Sequence, residues 1–299
     1  MAGDLKTIVV CADDYGLSAG VCAGIEELVA LGRLSATGAM TGLPAWRRHG
    51  PGLRRLVATA PADVGLHLTL TEQRPLTGAP GIAVDGRLPR IGTLIRQAYA
   101  GRLPAGALRD EIEAQLDAFE EVWGGPPDFV DGHQHAHVLP GVRAALIDAL
   151  ARRYPAGSVW LRHCTEPLPG ALRRGHLAKV AVIGALSRWL DREAAAAGIP
   201  TNDSFRGLYD FSDRVPFRQV FRRALAGGGN RILVHCHPGR VDAELRALDP
   251  LLEPRERELA YLASPDCAAD FATARLRPGR FATLASAPTP PESSPSDAA

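Results

Sequence analysis

The sequence predicts an α/β fold with a mostly parallel sheet and helices outside it, either open or closed into a barrel. The first observation behind this prediction is that short β-rich runs alternate with longer stretches of helical periodicity. The second is that aspartates and histidines stand near the ends of several apolar runs, where parallel α/β proteins build their active sites. The 299 residues, 46% of them hydrophobic, suffice for one large domain or two ordinary ones.

The predicted elements follow in chain order. Residues 7–12 are an apolar strand, and Ser18 is the N-cap of a helix that stops near Gly32. The remaining strands are predicted at residues 37–40, 63–70, 129–135, 158–163 and 231–237. The remaining helices are predicted at residues 108–123, 142–154, about 176–197 and 217–226.

Two segments interrupt this alternation. Residues 71–106 are rich in proline and glycine and are expected to form a long loop or small insertion over the ends of the sheet. Residues 285–299 are expected to be a disordered tail, because the segment cannot bury enough apolar surface to offset its ordering entropy. Since the sequence contains no internal repeat, the simplest organisation is a single domain over residues 1–284 followed by that tail.

Bulk composition argues against several classes of function. The net charge of +1 gives no reason to expect a nucleic-acid or anionic-membrane partner. The five cysteines are odd in number and include no Cys-x-x-Cys pair, which argues against a disulfide framework and a thiolate zinc site. We find neither a secretory signal nor an apolar run of about 20 residues that would span a membrane. The expected location is therefore the reducing cytoplasm.

A histidine cluster is the most informative motif. From Asp131 to His137 the chain reads Asp-Gly-His-Gln-His-Ala-His, which places three of the nine histidines behind an aspartate. If the segment is extended, Asp131, His133, His135 and His137 all project to one side, because side chains alternate along a strand. One carboxylate and three imidazoles make a poor core, and they are ligands suited to a metal ion.

An aspartate pair ends the first predicted strand. Asp13 and Asp14 are adjacent, so both carboxylates reach one site only if the strand breaks there, and Gly16 with the following helix start supplies the break. Such a pair would provide one metal ligand and one general base. The alternative is structural, since two acids before a helix also serve as a cap and as a charge favoured by the helix dipole.

Two other predicted strands carry histidines. His67 stands in the apolar run 63–70, and on its own it would be interpreted as a core or edge residue. His235 and His237 share one face at the end of the last strand, where Pro238 terminates it, and His237 is the better candidate for chemistry. Polar groups near the C-terminal ends of several different strands together indicate a metal-dependent active site.

These motifs together resemble the YdjC-like (ChbG-type) carbohydrate deacetylases. The resemblance rests on four segments in the same order: residues 12–16 (Ala-Asp-Asp-Tyr-Gly), 65–67 (Gly-Leu-His), 131–137, and 236–238 (Cys-His-Pro). It covers about residues 6–285, and the histidine cluster is its most specific element. It implies a distorted or incomplete (β/α) barrel of about seven parallel strands, like that of polysaccharide deacetylases.

The resemblance also implies roles for individual residues. Asp14, His67 and His133 would be the metal ligands, Asp13 the general base and His237 the general acid. Two imidazoles and one carboxylate would leave coordination positions for the attacking water and for the amide carbonyl of an N-acetyl group. The products would be acetate and a free amino sugar. The cofactor would be one divalent metal ion, either magnesium or zinc.

Other polar residues are expected to support this site. His135 and His137 would line it or hold metal ligands through hydrogen bonds, and Asp131 would orient a histidine in the same way. Arg162, at another predicted strand end, would neutralise Asp13 or contact the substrate.

The substrate pocket is expected to involve residues 71–106 and 202–210. Phe205 and Tyr209, in the second segment, are available to stack on a sugar ring or an apolar aglycone, although aromatic residues at that spacing are as often core. The Phe-x-Gly-Leu-Tyr-Asp sequence around them resembles the hopanoid-biosynthesis-associated branch of the family. That branch implies an N-acetylglucosaminyl lipid as substrate in place of a soluble chito-oligosaccharide.

Two other functions stay open. A metal-dependent phosphoesterase would use similar ligands, although such sites tend to supply more bridging carboxylates for two metals. A non-catalytic carbohydrate-binding barrel would keep aromatic residues but would not need Asp13, the metal ligands and His237 together. No sequence feature fixes the oligomeric state, and related proteins suggest a homodimer.

Overall fold

A curled sheet of parallel strands forms the centre of the protein. The structure, a computed structural model, describes residues 5–166 and 183–285. The strands are β1 (Lys6–Tyr15), β2 (Ala36–Ala39), β3 (Asp63–Leu68), β4 (Phe129–Gly132), β5 (Trp160–Leu161), β6 (Ser204–Arg206), β7 (Ile232–Cys236) and β8 (Leu276–Pro278). Seven of them lie side by side in the order β5-β4-β3-β2-β1-β7-β6, and β8 pairs with the start of β1. All of these pairings are parallel.

Helices connect the strands and flank the sheet. They are α1 (Ala19–Ala30), α2 (Pro44–Val57), α3 (Ile91–Tyr99), α4 (Ala105–Trp123), α5 (Val142–Arg153), α6 (Leu190–Ala196), α7 (Phe217–Leu225), α8 (Ala243–Leu248), α9 (Glu253–Ala263), α10 (Pro265–Ala274) and α11 (Phe281–Ala285). Residues 183–187 are also helical. Parallel strands joined by helical crossovers confirm the predicted α/β class.

The two edge strands approach each other without completing the barrel. Leu161 of β5 forms an isolated parallel bridge with Thr201, and its N–H donates to the carbonyl of Pro200 at 2.9 Å. Strand β6 begins only at Ser204, so no regular ladder joins β5 to β6 within the described residues. The sheet is therefore an incomplete barrel of seven parallel strands, which confirms the predicted architecture.

Strand β1 lies at the centre of the sheet. Its residues Ile8, Val9 and Val10 are all fully buried, although alternate side chains face opposite sides. A strand covered on both sides reads as a continuous apolar run, and this is why the strand was recognisable in the sequence. The predicted cap that follows is also confirmed, since the Ser18 hydroxyl accepts a hydrogen bond from the Val21 N–H at 3.2 Å.

The prediction of an extended strand through the histidine cluster is wrong in its second half. Strand β4 ends at Gly132, and residues His133–Val138 form a 3₁₀ turn. Within that turn Gln134 and His135 have positive φ angles of 52° and 59°. The chain folds back closely at Gly132, where a Cβ atom would lie 2.9 Å from the His137 peptide nitrogen. The strand alternation expected for the cluster therefore does not hold.

Other elements also differ from the prediction. Residues 71–106 are not loop throughout, because α3 lies within them. The sequence patterns did not reveal α2, α8, α9, α10, β6 or β8. Residues 176–182 of one predicted helix lie outside the described residues, and the rest of it is helical over 183–187 and in α6. Of the predicted tail 285–299, only Ala285 is described. We find no helix in the described ranges that is long and apolar enough to cross a membrane.

Candidate metal centre and active site

A cavity of about 530 Å³ lies at the carboxyl ends of the strands. Its polar wall contains all five residues that were predicted as metal ligands, general base or general acid, namely Asp13, Asp14, His67, His133 and His237. They come from β1, from β3, and from the residues directly after β4 and β7. Parallel strands bring their carboxyl ends to one edge of the sheet, so residues far apart in sequence meet at this wall.

Three of these side chains converge on one point. The Asp14 Oδ1 atom lies 3.0 Å from His133 Nδ1 and 3.2 Å from His67 Nε2. The three ligand atoms all lie within 4.8 Å of one another. Asp14 has a φ angle of 69°, in the left-handed region that aspartate adopts more readily than most residues. This turn at Asp14 itself, ahead of the break at Gly16, allows the adjacent Asp13 and Asp14 both to face the cavity.

Asp131 fixes the orientation of His67. Its Oδ1 atom lies 2.6 Å from His67 Nδ1, so the other ring nitrogen faces Asp14. Gly38 leaves room for this pair, because a Cβ atom there would lie 3.1 Å from both interacting atoms. Burial works to lower the pKa of His67, but the carboxylates of Asp131 and Asp13 outweigh it and raise that pKa to about 10. The site therefore favours positive charge at this point.

Arg162 binds Asp13 through two hydrogen bonds. Its Nη1 and Nη2 atoms donate to the two carboxylate oxygens at 2.8 and 2.6 Å, and Nη2 also lies 2.5 Å from Asp131 Oδ2. Burial works to raise the pKa of Asp13, but Arg162, aided by His67 and His237, outweighs it and holds that pKa well below its ordinary value. Asp13 is thus held as an anion in a fixed orientation.

His237, which directly follows β7, faces the same carboxylate. Its Nε2 atom lies 3.8 Å from Asp13 Oδ2. Its peptide N–H donates to Glu258 Oε2 at 2.5 Å, and the Tyr209 hydroxyl donates to Glu258 Oε1 at 2.5 Å. Glu258 is fully buried, and burial raises its pKa to about 7 although both hydrogen bonds and Arg255 oppose the shift. Glu258 therefore anchors the backbone of His237.

We expect Glu258→Gln to change the pH dependence of stability. A raised pKa in an acid means that the folded state favours its neutral form. The contribution of neutral Glu258 to the free energy of unfolding is present below the ordinary pKa of 4.5 and is lost as the pH rises through about 7. Glutamine mimics the neutral form. The free energy of unfolding of the variant, relative to that of the wild type, should therefore rise by about 3 kcal/mol between about pH 5 and pH 8. Urea unfolding of both proteins in a chelating buffer measures this difference.

The control for this experiment is Glu256→Gln on the same helix. Glu256 is exposed, so its substitution should leave the pH dependence of the unfolding free energy as in the wild type. A Glu258→Gln variant whose stability difference from wild type stays constant across that pH range would show that Glu258 is already ionised in the folded protein.

Arg255, also on α9, holds the second oxygen of Asp14. Its Nη2 atom donates to Asp14 Oδ2 at 2.6 Å and to Asp249 Oδ2 at 2.8 Å, and its Nε donates to the Leu251 carbonyl at 3.1 Å. Burial works to raise the pKa of Asp14, but Arg255 and His133 outweigh it and hold that pKa well below its ordinary value. As a result, only Oδ1 of Asp14 is directed at the two histidines.

Sequence reasoning missed both Arg255 and Glu258. They lie in the run Glu-Pro-Arg-Glu-Arg-Glu-Leu, which reads as a solvated helix. The signal that would have found them is their spacing. Arg255 and Glu258 share one helix face with Leu259 and Leu262, at i, i+3, i+4 and i+7, and all four are buried. A charged residue on the apolar face of a helix requires a buried partner.

His135 and His137 lie beside the cluster of Asp14, His67 and His133 without joining it. His137 is fully buried with Nε2 at 2.9 Å from the Arg162 carbonyl oxygen, and burial lowers its pKa to about 4. His135 lines the cavity, and its Nδ1 atom lies 3.7 Å from Cys164 Sγ. His137 thus supports the segment that carries Arg162. The turn, with positive φ angles at Gln134 and His135, keeps His135 out of the cluster.

Phe205 and Tyr209 do not present their rings to the cavity. Phe205 is only 1% exposed and stacks on His235 at a centroid distance of 4.5 Å, and Tyr209 is committed to its hydrogen bond with Glu258. Phe205 belongs to β6, which turns its side chain into the interior. The expectation that these rings stack on a sugar is therefore not met. Phe211 is the aromatic residue that lines the cavity among the described residues.

Comparison with known proteins identifies the family. The family model described as "YdjC-like protein" matches residues 7–273. The chain belongs to the YdjC-like family. A protein of Yersinia pestis (strain Pestoides F) named chitooligosaccharide deacetylase is 30% identical over 285 residues, covering 92% of this chain and 98% of its own. The protein of the same name from Yersinia pseudotuberculosis (serotype O:1b) matches equally well.

A solved structure shares the fold of this YdjC-like protein. It comes from Enterococcus faecalis V583 and is described as a candidate cellobiose-phosphate cleavage protein. The TM-score is 0.73 at 20% identity, with 94% of this chain and 99% of the other covered. The family resemblance found in the sequence is thus confirmed, together with its incomplete barrel.

The residues of this YdjC-like protein fit one divalent cation. Four carboxylates and two guanidiniums surround the cluster, and all but the partly exposed Asp249 are buried: Asp13, Asp14, Asp131, Asp249, Arg162 and Arg255. Their sum is a charge of −2, which a divalent ion beside Asp14, His67 and His133 would balance. Cys11, Asp13 and Asp131 form the other group with ligand spacing, and they surround the Arg162 guanidinium instead.

Proposed function

We propose that this YdjC-like protein removes the N-acetyl group from an N-acetylglucosamine-type carbohydrate or glycolipid, using one divalent metal ion. Asp14, His67 and His133 would hold the ion, Asp13 would act as general base and His237 as general acid. One observation carries the proposal. The cluster of Asp14, His67 and His133, called the Asp14 cluster below, lies in the same cavity as Asp13, which is ionised and held in one orientation. Its relatives named chitooligosaccharide deacetylases support the reaction type.

The residues around the cluster divide the proton transfers between them. A bound divalent ion supplies Lewis acidity, which polarises the acetyl carbonyl and makes water more acidic. Asp13 accepts the proton of the attacking water, and Arg162 keeps that carboxylate ionised and in one orientation until then. His237, 3.8 Å from Asp13, donates a proton to the departing nitrogen, because an amine leaves poorly as its anion.

The donor set bears on the identity of the metal. Two imidazole nitrogens and one carboxylate suit zinc better than magnesium, which prefers oxygen ligands. Magnesium is the ion that the family resemblance implies. We therefore expect zinc or magnesium, and metal analysis of the purified protein distinguishes them.

The apolar part of the cavity lining supports a glycolipid substrate. It is built from apolar side chains of several elements: Ile91, Ile95, Leu139, Ile183, Leu186, Phe211, Leu248, Pro250 and Leu251. A free chito-oligosaccharide would place its hydroxyl groups against this surface, whereas an apolar aglycone would be buried by it. The substrate we propose is accordingly an N-acetylglucosaminyl lipid of the hopanoid type.

Product analysis tests the reaction. The purified protein, with its metal content measured, is incubated with N,N′-diacetylchitobiose and with an N-acetylglucosaminyl lipid in detergent micelles. We expect acetate and free amine from at least the glycolipid, and loss of activity after chelation. Release of phosphate from sugar phosphates without any acetate would favour a metal-dependent phosphoesterase. Sugar binding without any product would favour a non-catalytic carbohydrate-binding barrel.

Polar substitutions in the apolar wall should separate the two substrates. We expect Ile95→Ser with Leu186→Ser to lower kcat/KM for the glycolipid by roughly 10²- to 10⁴-fold. The reason is that burying one such side chain against an apolar ligand is worth roughly 1.5–3 kcal/mol. The value for N,N′-diacetylchitobiose should not change. Leu31→Ser, at an exposed helix end, is the control. Equal losses on both substrates would argue against a lipid aglycone in this wall.

The remaining expectations concern organisation and location. We propose a single catalytic domain over residues 1–284, since every described strand joins one sheet. A cytoplasmic location is supported by five cysteines that are all buried free thiols. The proposed homodimer is tested by light scattering of the purified protein.

A further inference from the structure

Residues 71–106, between β3 and α4, carry more positive than negative side chains. They contain five arginines and two acids, whereas the whole chain has a net charge of only +1. The arginines share two properties: all are exposed, and none forms an ion pair with another described residue. They are Arg74, Arg87, Arg90, Arg96 and Arg102. Exposed, unpaired guanidiniums leave this charge available to an anionic partner.

The same segment also exposes apolar side chains. It supplies three of the six large hydrophobic residues that are exposed in the described part of the chain, namely Leu76, Val84 and Tyr99. Tyr99 is 56% exposed and lies on α3, whose residues Ile91 and Ile95 line the cavity. Because Ile91, Ile95 and Tyr99 are spaced four residues apart, they follow one helix face from the cavity to the surface.

A second exposed aromatic residue follows two residues that line the cavity. Ile183 and Leu186 line the cavity, and Trp189 follows them, 42% exposed. The guanidiniums of Arg188 and Arg192 lie 5.0 and 5.8 Å from the Trp189 ring centroid. An exposed tryptophan flanked by arginines has the composition of a membrane-interface anchor.

We propose that this surface, formed by residues 71–106 and by Trp189 with its two arginines, docks on an anionic lipid membrane. Exposed aromatic and aliphatic side chains would enter the headgroup region, and the arginines would pair with anionic headgroups. The apolar cavity wall begins where this surface ends, so a lipid aglycone would pass from one apolar environment to another. The proposal deepens the glycolipid function above. It also revises the expectation, drawn from the net charge of +1, that the protein has no anionic-membrane partner. The net charge of the whole chain does not reveal the excess of arginines in residues 71–106.

Vesicle sedimentation tests the docking without any turnover. The full-length protein is mixed with vesicles of phosphatidylcholine alone and of phosphatidylcholine with phosphatidylglycerol. We expect binding to the anionic vesicles only. Arg90→Gln with Arg96→Gln should weaken binding to the anionic vesicles about 25-fold, because each arginine near the membrane surface contributes a factor of roughly five. The control, Arg54→Gln with Arg55→Gln on α2, removes two exposed arginines that likewise form no ion pair with a described residue, and it should bind as the wild type does.

The apolar contribution is tested separately. We expect Val84→Ser with Tyr99→Ser to weaken binding to the anionic vesicles, and Leu5→Ser with Leu31→Ser, two residues exposed elsewhere, to leave it unchanged. Equal binding to both vesicle types, or equal losses in test and control variants, would overturn the proposal. A third result would also overturn the proposal: the wild type binds no vesicles, and light scattering shows a dimer that dissociates in the Val84→Ser, Tyr99→Ser variant.

The outcomes also separate this proposal from the proposed reaction. All four variants should release acetate from N,N′-diacetylchitobiose or micellar glycolipid at the wild-type rate if the wild type does so. Normal deacetylation without vesicle binding would overturn the docking alone. Vesicle binding by a protein that deacetylates none of these compounds would overturn the proposed reaction and leave the docking standing.

Discussion

Asp13→Asn is expected to abolish deacetylation while leaving the metal site intact. Asp13 has no place in the Asp14 cluster, so metal content should stay as in the wild type. Asparagine keeps an acceptor oxygen for Arg162 but cannot take the proton of the attacking water. Removing a general base costs about 10²- to 10⁴-fold in rate, so kcat should fall by that factor with little change in KM. Acetate release and metal analysis on the same preparation measure both properties.

Asp128→Asn is the matched control for this experiment. Asp128 is an aspartate beside a strand of the sheet, partly buried where Asp13 is fully buried, and it lies before β4, at the end opposite the cavity. It accepts hydrogen bonds from the Val64 N–H and from Arg280, so its loss reports on structural damage alone. Near-normal kcat in Asp13→Asn would show that another group takes the proton, whereas a similar drop in Asp128→Asn would point to general destabilisation.

The sequence predicted the polar wall because the fold places it by a simple rule. Asp13, His67 and His237 each stand near the end of an apolar run, and parallel strands bring such ends to one edge. Arg162 was also found at a strand end, and its contact with Asp13 lies where that position suggested. Strand pattern and order therefore sufficed for the residues that the sheet itself positions.

The residues that the sheet does not position were not predictable in the same way. Arg255 and Glu258 come from α9, which packs against the site only after the chain has passed beyond β7. The apolar wall is assembled from loops and helices whose mutual packing no local pattern encodes. The histidine cluster was misjudged because its alternation depended on an extended backbone, and Gly132 with two positive φ angles turns the chain instead.

Acidic and basic side chains alternate across the site. Asp14 lies between Arg255 and the two histidines, and Asp131 lies between His67 and Arg162. Asp13, Asp14 and Asp131 thus each have one guanidinium and at least one imidazole as a neighbour. Buried charges of this kind are stable only when paired, so the removal of any cation in the chain exposes its carboxylate partner to an unfavourable environment. This explains why the site uses both Arg162, after β5, and Arg255, on α9.

His133→Ala should lower metal affinity by more than about 100-fold, while His135→Ala should leave it nearly unchanged. The two residues are neighbours in one turn, yet only His133 directs a nitrogen at Asp14 Oδ1, at 3.0 Å. Loss of residues that merely orient ligands already costs about 10- to 100-fold, so loss of a ligand should cost more. Metal titration of both chelated variants, followed by acetate assay at saturating metal, compares them directly. If His135→Ala lost metal as strongly as His133→Ala, the ion would lie deeper, towards His235 and Cys164, and the assignment of Asp14, His67 and His133 would be wrong.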